Sequence, residues 1–365
     1  MKAFGELFID ETKKGIKLQT MEYKKQGSHI IVDQGKNQIA GYTDIKKGLF
    51  EDVPVIIFGD HTRVIKYVDQ PFFLGADGVK ILRSKDKNAN YKYLYYALRN
   101  ANIPDTGYNR HFKWLKETKI NYPSVARQDE IVRILDKLSD IIDRRKTQLQ
   151  GLDSLIKARF VEMFGDPVAN DKRWDTLSLE SACKTIIDCP HSTPSYTYEN
   201  TGFMCIRTSI VKKNRILWDD IEYIPEDEFE KRIQRKKPTV GDIVYTREGA
   251  ILGIAAIIDR NYNVALGQRS MLLSPDTDKC ASEFLCVAMN SDSFLDNVLK
   301  GVSGSASPHI NVGDIKAFKM IMPPVELQNQ FAEFIQAVDK SKVVVQKALD
   351  EAQLLFDSLM QKYFG

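Results

Sequence analysis

Apolar residues recur at helical spacing in two segments of the chain, residues 123 to 165 and residues 323 to 365. They return in steps of three, four or seven, which keeps one face of a helix apolar along its length. In each segment the helical pattern begins just after a proline, which disfavours a helix interior, and ends at a glycine suited to a left-handed cap. The pattern predicts two amphipathic helices of about 35 residues, which at roughly 1.5 Å per residue are on the order of 50 Å long.

The two segments are copies of one another. A shift of 200 positions aligns them without a gap, and it places Gln128 on Gln328 and Gly165 on Gly365. Because both copies carry an apolar seam, we expect the helices to pack on each other; the alternative is that each helix caps only its own domain. The predicted seam residues are Leu135, Leu138, Ile142, Leu149, Leu152 and Ile156 in the first copy and Ile335, Val338, Val345, Leu349, Phe356 and Leu359 in the second.

Each predicted helix follows a region of short β-prone runs separated by glycine, proline and charged turns. The runs lie at 29–33, 53–59, 62–68 and 71–82 before a helix at 91–98, and at 240–259 and 263–273 before a helix at 281–289. The repeated order predicts an α/β (α+β) fold that is a pseudo-twofold tandem repeat. Its expected segments are a globule at 1–122, a helix at 123–165, a globule at 166–322 and a helix at 323–365.

The charges are distributed unevenly between the two globules. The formal charge of the chain is only +3, yet residues 1 to 122 hold 21 lysines and arginines against 14 aspartates and glutamates. Residues 166 to 322 hold 19 against 22. A basic amino-terminal globule is compatible with a polyanionic partner.

Composition and cysteine usage indicate a cytoplasmic location and no metal site. No apolar run approaches the roughly 20 residues of a membrane span, and the first residues lack the apolar core of a signal peptide. The five cysteines show no paired-disulfide arrangement, so we expect reduced thiols. A zinc site formed by Cys183, Cys189, His191 and Cys205 is the alternative, but their spacing matches no common zinc motif.

Common catalytic signatures are missing from the sequence. It contains no GxxxxGK[ST] loop, no GxGxxG turn, no HExxH and no GxSxG elbow. The Asn/Asp-Pro-Pro-aromatic tetrapeptide of adenine-amino methyltransferases is also missing. These observations predict a non-catalytic chain that binds no cofactor of its own.

Polar loops at the predicted strand ends and before the long helices suit the recognition of DNA. Gln268 and Arg269 carry the side-chain forks that fit adenine and guanine edges, and basic runs at 212–215 and 231–237 could neutralise phosphates. Basic runs are more often solvated faces, and the aromatic stripe at 91–98 favours core packing over base stacking. The candidate DNA-binding residues are His61, Arg63, Asp77, Asn109, Arg110, His111, Lys212, Lys213, Thr246, Arg247, Gln268, Arg269, Ser305, Ser307, His309 and Asn311.

Several motifs resemble the specificity subunit of type I restriction-modification systems, and the resemblance covers the whole chain. They are the P-x-V-x-x-Q entries at 123–128 and 323–328, the segment GDIVYTREGA at 241–250, and FGDP at 164–167, which closes the first helix. The resemblance implies two target-recognition domains and an antiparallel coiled coil. Each domain would recognise one half of a bipartite asymmetric site in double-stranded DNA.

The resemblance also implies partners. Two methyltransferase subunits that bind S-adenosylmethionine and modify adenine would dock on the repeat, and restriction subunits would join for cleavage. A subunit of a system that only methylates is a related possibility. The alternative from another class is a coiled-coil scaffold whose globules bind proteins, and salt-dependent DNA binding separates the two classes.

Overall fold

The computed structural model describes residues 1–75, 77–301 and 308–365, which form two compact units. Unit 1 comprises Met1–Lys146 and Gln346–Gly365, and unit 2 comprises Thr147–Val345. Each unit therefore contains part of both long helices. The candidates Ser305 and Ser307 lie outside the described residues.

The first half of the chain contains nine strands and four helices among the described residues. The strands are β1 Lys2–Ala3, β2 Phe8–Asp10, β3 His29–Val32, β4 Gly41–Thr43, β5 Val55–Gly59, β6 Ile65–Val68, β7 Phe72–Leu74, β8 Val79–Ser84 and β9 Lys119–Ile120. The helices are α1 Phe4–Leu7, α2 Tyr91–Arg99, α3 Phe112–Leu115 and α4 Val125–Phe164.

The second half adds further strands and helices in a similar order. The strands are β10 Thr176–Ser178, β11 Cys183–Asp188, β12 Met204–Ile206, β13 Val211–Lys212, β14 Arg215–Ile216, β15 Glu222–Tyr223, β16 Ile243–Thr246, β17 Ala255–Ile257, β18 Val264–Leu266, β19 Ser270–Pro275 and β20 Lys319–Ile321. The helices are α5 Leu179–Ala182, α6 Glu226–Ile233, α7 Ser282–Met289, α8 Asp292–Lys300, α9 Val312–Ala317 and α10 Val325–Phe364.

The two units share one sheet topology, which confirms the predicted tandem repeat. Unit 1 has a four-stranded sheet of order β2-β8-β5-β6 and a three-stranded sheet of order β4-β3-β7, and unit 2 repeats them as β11-β19-β16-β17 and β15-β12-β18. In both three-stranded sheets the central strand pairs in parallel with the last strand, β3 with β7 and β12 with β18. Unit 2 adds the β13–β14 hairpin, α6 and α8.

The four-stranded sheet of each unit is buried on both faces because apolar residues occupy consecutive positions of its central strands. In unit 1, Ile56 and Phe58 face a core formed with α2, α4 and α10, whereas Val55 and Ile57 face the three-stranded sheet. Unit 2 repeats this arrangement along β16. Helices, sheet and sheet thus form three layers in each unit.

Three predicted strand runs divide where glycine-containing turns interrupt them, and the run at 240–259 forms β16 and β17 of one sheet. The run at 71–82 forms β7 and β8, which belong to different sheets, and the run at 263–273 forms β18 and β19 in the same way. Gly75 and Gly267 occupy equivalent positions at these breaks. The Gly75 N–H donates to the Val32 carbonyl at the end of β3, and the Gly267 N–H donates to the Ile206 carbonyl at the end of β12, both at 2.9 Å.

Both long helices lie within the predicted segments 123–165 and 323–365, and they are longer than the expected 35 residues or so. Each has 40 residues, about 60 Å at 1.5 Å per residue. Gly165, directly after α4, adopts a φ of +75°, as the left-handed cap requires.

The helices pack on each other within each unit, and their order is antiparallel. In unit 1 the first part of α4 shares a core with the last part of α10, including contacts around Phe356. In unit 2 the last part of α4 shares a core with the first part of α10, where the Phe160 and Phe331 rings lie 5.6 Å apart. The alternative in which each helix caps only its own domain does not hold.

Most of the predicted seam residues pack in the core of the unit that contains their part of the helix. Leu135, Leu138, Ile142, Leu349, Phe356 and Leu359 belong to the core of unit 1, whereas Leu152, Ile156, Ile335 and Val338 belong to that of unit 2. Val345 is buried and Leu149 is half-buried. The charged seam position Lys342 pairs with Asp153 of α4 at 2.8 Å.

Candidate nucleic-acid interface

Three loops of unit 1 meet at one edge of its sheets, and the Gln34 side chain connects them. Because β3 and β7 are parallel, the loops that follow them leave the same edge. Gln34 follows β3; its Oε1 accepts the backbone N–H of His61 at 3.2 Å, and its Nε2 donates to the Asp77 carbonyl at 3.1 Å. The candidates His61 and Asp77 therefore lie together.

Arg63 is half-buried and holds a neighbouring loop, residues 103 to 111, in place. It adopts a φ of +60°. Its Nη1 donates to the Ile103 carbonyl at 3.2 Å, and its Nη2 pairs with Asp105 at 2.6 Å. The Gly107 backbone N–H and the charge of Arg63 keep the pKa of the Asp105 carboxyl below its usual value. The geometry gives Arg63 an internal, loop-positioning role.

His111 and Asn109 also stabilise this loop internally. The His111 side chain is fully buried; its Nδ1 lies 3.0 Å from the Asp60 carbonyl and its Nε2 lies 3.4 Å from Thr106 Oγ1. Asn109 Nδ2 donates to the Thr106 carbonyl. The buried His111 ring cannot reach a ligand in this conformation, so its place in the structure does not favour the predicted base contact.

The exposed candidates of unit 1 are Asp77, Asn109 and Arg110. The Asp77 carboxylate pairs with Lys17. Hydrogen bonding and charge from Lys17 lower the pKa of Asp77, with a further contribution from Arg110. Asp77 and Arg110 thus supply exposed charges of opposite sign in the loops of this edge.

Two candidates of unit 2, Thr246 and Arg247, are buried where β16 ends. Thr246 Oγ1 accepts the Ile254 N–H at 2.9 Å. The Arg247 guanidinium pairs with both carboxylate oxygens of Asp188, at 2.9 and 3.3 Å, and with Glu248 at 2.8 Å. Their predicted DNA contacts would require these internal bonds to break, so the geometry favours a positioning role for both residues.

The backbone of Arg247 also joins two further loops. Its N–H donates to the Arg269 carbonyl at 3.0 Å, and its carbonyl accepts the Ile310 N–H at 2.9 Å. Arg269 is exposed and adopts a φ of +71°. The neighbouring Gln268 is half-buried and accepts a hydrogen bond from Thr193 Oγ1 at 3.2 Å.

Exposed side chains complete this edge of unit 2. His309 and Asn311 are exposed, and Asn311 Nδ2 lies 3.1 Å from Asp314 Oδ2. His191 is also exposed and lies 3.0 Å from Asp188; sequence reasoning considered it only as a zinc ligand. The structure thus brings loops 188–193, 246–253, 266–269 and 308–311 together around Arg247.

The remaining candidates, Lys212 and Lys213, lie on the β13–β14 hairpin. Lys212 Nζ donates to the Ser209 carbonyl at 2.7 Å. Lys213 pairs with Asp292 at the start of α8 at 2.9 Å. Both ammonium groups therefore have partners within unit 2.

Sequence reasoning missed a basic groove in unit 1 that adjoins the His61 loop. The groove has a volume of about 530 Å³, and its polar lining includes Lys36, Thr62, Arg63, Lys66 and Arg99. Lys66 is almost fully buried, which lowers its pKa. No acidic residue is among the lining residues. Arg63 and Lys66 are paired with Asp105 and Asp33, so the exposed Lys36 and Arg99 are the lining cations suited to an anion such as a phosphate.

The cysteines are structural. All five are free and buried, and burial raises the thiol pKa of Cys183 and Cys205 to about 12. Within the described part of the chain, no three His, Cys, Asp or Glu residues are grouped so that they could hold a metal ion. None of the described helices is both long and apolar enough to cross a bilayer.

The repeated topology, the shared helix pair and the polar loops at one edge of each unit define a two-domain recognition protein. The family model of the type I restriction modification DNA specificity domain matches residues 2–153 and 172–352. The chain belongs to this family. The resemblance that the sequence motifs indicated is confirmed.

Individual relatives agree with this assignment. The chain is 23% identical over 312 residues to the type I restriction enzyme MjaVIII specificity subunit of Methanocaldococcus jannaschii, covering 77% of the chain and 72% of that protein. It is 31% identical over 148 residues to the EcoR124I/EcoR124II specificity subunit of Escherichia coli, covering 37% of each.

Solved structures show the same fold. The S subunit of a type I restriction-modification system from M. genitalium superposes with a TM-score of 0.60 at 16% identity, covering 100% of this chain and 95% of that one. A chain from a structural study of complex assembly in the type I system superposes with a TM-score of 0.53 at 16% identity, with coverage of 99% and 96%. The α+β fold with its coiled coil is confirmed.

Proposed function

We propose that this chain recognises a bipartite asymmetric DNA site, with one half-site bound by each unit, as the specificity subunit of a type I restriction-modification complex. The repeated sheet topology carries the proposal, because it presents equivalent loop edges twice within one chain. Family membership supplies the DNA specificity role.

The two loop edges differ in chemistry, which supports an asymmetric site. The edge of unit 1 exposes Asp77, Asn109 and Arg110, whereas the edge of unit 2 exposes His191, Arg269 and His309. Edges with different donors and acceptors read different base sequences. Each unit would therefore recognise its own half-site.

The helix pair would set the unread spacing between the half-sites. Both α4 and α10 contribute residues to both units, so each helix is a continuous connection between the two readers. A helix of about 60 Å exceeds the roughly 34 Å of one DNA turn. A spacer that separates the two readers is the role that this continuity supports.

Phosphate contacts would supply much of the affinity. The basic groove beside His61 is suited to a DNA phosphate, and Lys36 and Arg99 at its rim are exposed. Neutralised phosphates release counterions, so binding should weaken steeply with salt.

The chain itself would be non-catalytic and would bind no cofactor. In this proposal, two methyltransferase subunits dock on the repeat and bind S-adenosylmethionine, and restriction subunits join them. The adenine to be modified would have to leave the base stack and enter the pocket of a methyltransferase subunit. The support is the set of sequence motifs together with family membership.

Methylome sequencing tests this function directly. A host that carries the chain and its methyltransferase should methylate adenine in one split motif, and deletion of this chain should remove that methylation. An unchanged methylome would contradict the proposal. If the assembled complex binds duplex DNA weakly and without salt dependence, the protein-binding scaffold is the better function.

A further inference from the structure

The most exposed aromatic ring of unit 1 lies at the loop edge of this unit. Tyr108 is 88% exposed. Its ring is stacked on His61, with the ring centroids 4.8 Å apart and the planes 10° from parallel. The stack fixes the orientation of a ring whose other face remains open to solvent.

The backbone on both sides of Tyr108 is held by internal hydrogen bonds. On one side, Asp105 accepts the Gly107 N–H at 3.1 Å and pairs with Arg63. On the other side, the Asn109 side chain donates to the Thr106 carbonyl, and its backbone N–H donates to the Gly107 carbonyl at 2.8 Å. Residues predicted to contact DNA thus form a support that presents Tyr108 outward.

We propose that Tyr108 contacts DNA and determines part of the half-site bound by unit 1. An open aromatic face supported by a second ring can stack on a base or pack against a thymine methyl group or a sugar. Arg110 beside it adds the positive charge that attracts the DNA backbone. This inference rests on the proposed DNA-recognition function.

Photocrosslinking and DNA-affinity measurements test this contact in the full complex of the chain with its methyltransferase. The probe is a duplex that carries the methylated motif, with 5-iodouracil in place of single thymines. Irradiation should link Tyr108 to one half-site, as identified by mass spectrometry. Y108A should lose this crosslink and bind that half-site about tenfold more weakly, as the loss of one aromatic contact predicts. Y108F should bind like the wild type because it keeps the ring.

Two further variants separate a contact from a structural effect. H61A removes only the supporting ring, so it should lose less affinity than Y108A. The H61A/Y108A double variant should lose no more affinity than Y108A alone, because both changes affect the same contact. Tyr262 lies after β17, at the opposite edge of its sheet, and packs against Trp218. Y262A should leave recognition of both half-sites unchanged. The midpoint of thermal unfolding should be the same in Y108A as in the wild type.

The possible failures are distinguishable. If the wild-type complex does not bind the motif, the proposed function is wrong. If it binds and Y108A binds equally well, the inference about Tyr108 is wrong. An equal loss on every DNA sequence would overturn its role in specificity, and a loss of methyltransferase assembly would mean that Tyr108 contacts a protein.

Discussion

Gln328 at the start of α10 accepts the backbone N–H of Ala281, directly before α7, at 2.9 Å. Its amide nitrogen donates to the carbonyls of Pro323 and Lys279 at 2.8 and 3.1 Å. The equivalent Gln128 of α4 accepts the N–H of Asn90 before α2 at 3.1 Å. Both glutamines are fully buried. The glutamine of each P-x-V-x-x-Q motif therefore joins a long helix to the short helix of its unit.

Replacement of Gln328 by leucine should destabilise unit 2. The variant removes the partner of the buried Ala281 N–H and of the buried Pro323 carbonyl, and also a part-buried bond to the Lys279 carbonyl. Each buried unsatisfied group costs about 1–3 kcal/mol before relaxation. We expect a loss of about 2–4 kcal/mol in the free energy of unfolding, measured by urea denaturation.

Gln346 provides a matched control on the same helix. It is exposed and bonds only to Asp350 one turn away, at 2.8 Å, among the contacts described. Q346A should cost no more than about 0.5 kcal/mol. Equal stability losses in Q328L and Q346A would contradict the role assigned to Gln328.

Arg247 and Arg269 should behave differently although both were predicted to read bases. R247A leaves the Asp188 and Glu248 carboxylates without their guanidinium partner. We expect a loss of about 2–4 kcal/mol in stability, somewhat below the value for a fully buried pair because 18% of the Asp188 side-chain surface is exposed. R247K should restore little, because an ammonium group cannot bond bidentately.

R269A should leave stability within about 0.5 kcal/mol of the wild type, because the side chain is exposed. Instead, if Arg269 makes a bidentate base contact, R269A should reduce the discrimination against wrong bases in one half-site by about 1–3 kcal/mol. That half-site should differ from the one affected by Y108A. Unchanged recognition in R269A would remove this residue from the interface.

The phosphate role of the basic groove predicts a change in salt dependence. Each phosphate contact contributes about 0.9 to the slope of log affinity against log salt. A variant with both Lys36 and Arg99 changed to alanine should therefore lower the slope by nearly two, without altering the methylated motif. The measurement is fluorescence anisotropy of the complex on labelled duplex across a salt series.

Lys46 and Lys47 provide a control that removes the same charge. They are exposed and follow β4, whose last residue pairs with the first residue of β3, so they lie at the opposite edge of the sheet. Their replacement by alanine should leave the slope unchanged. Equal slopes in the two double variants would mean that the groove contacts no phosphate.

The spacer role of the helices predicts how insertions change the recognised site. Seven residues added to both helices, after Arg145 in α4 and after Val345 in α10, preserve the heptad register and lengthen each by about 10 Å. The unread gap should grow by about three base pairs, at roughly 3.4 Å each, with both half-sites unchanged. Methylome sequencing measures the gap directly.

Insertion of four residues after Arg145 alone tests the same idea with a different result. It lengthens one helix and shifts its seam against the other, so recognition should be lost or the gap should change. A changed half-site sequence in either variant would contradict the spacer role.

Local periodicity was sufficient to predict most of the fold. The helical spacing of apolar residues predicted α4 and α10. The β-prone runs predicted β3 and β5 to β8 in the first half and β16 to β19 in the second, but not the edge strands β2 and β11 of the four-stranded sheets. Short-range patterns could not show that the run at 71–82 divides between two sheets. Nor could they show that each compact unit includes part of both long helices, because an apolar stripe does not identify the surface that covers it.

The sequence located the loops of the candidate site but not the roles of their residues. Arg247 and Arg63 looked like free cations, yet each is paired with a distant carboxylate: Asp188 lies 59 positions from Arg247, and Asp105 lies 42 positions from Arg63. Tyr108 is a single aromatic residue in a polar loop, and the sequence alone did not indicate a role for it. Its exposure and its stack on His61 depend on contacts made after folding.

The sequence by itself determined the duplicated architecture, because hydrophobic period, prolines and glycines act within a few residues and both copies carry them. Only the tertiary structure decided which polar side chains face outward. That outcome depends on which charges come within hydrogen-bonding distance once the strands pair. In a buried pair such as Arg247 and Asp188, each side chain bonds to the other and is not available to a ligand.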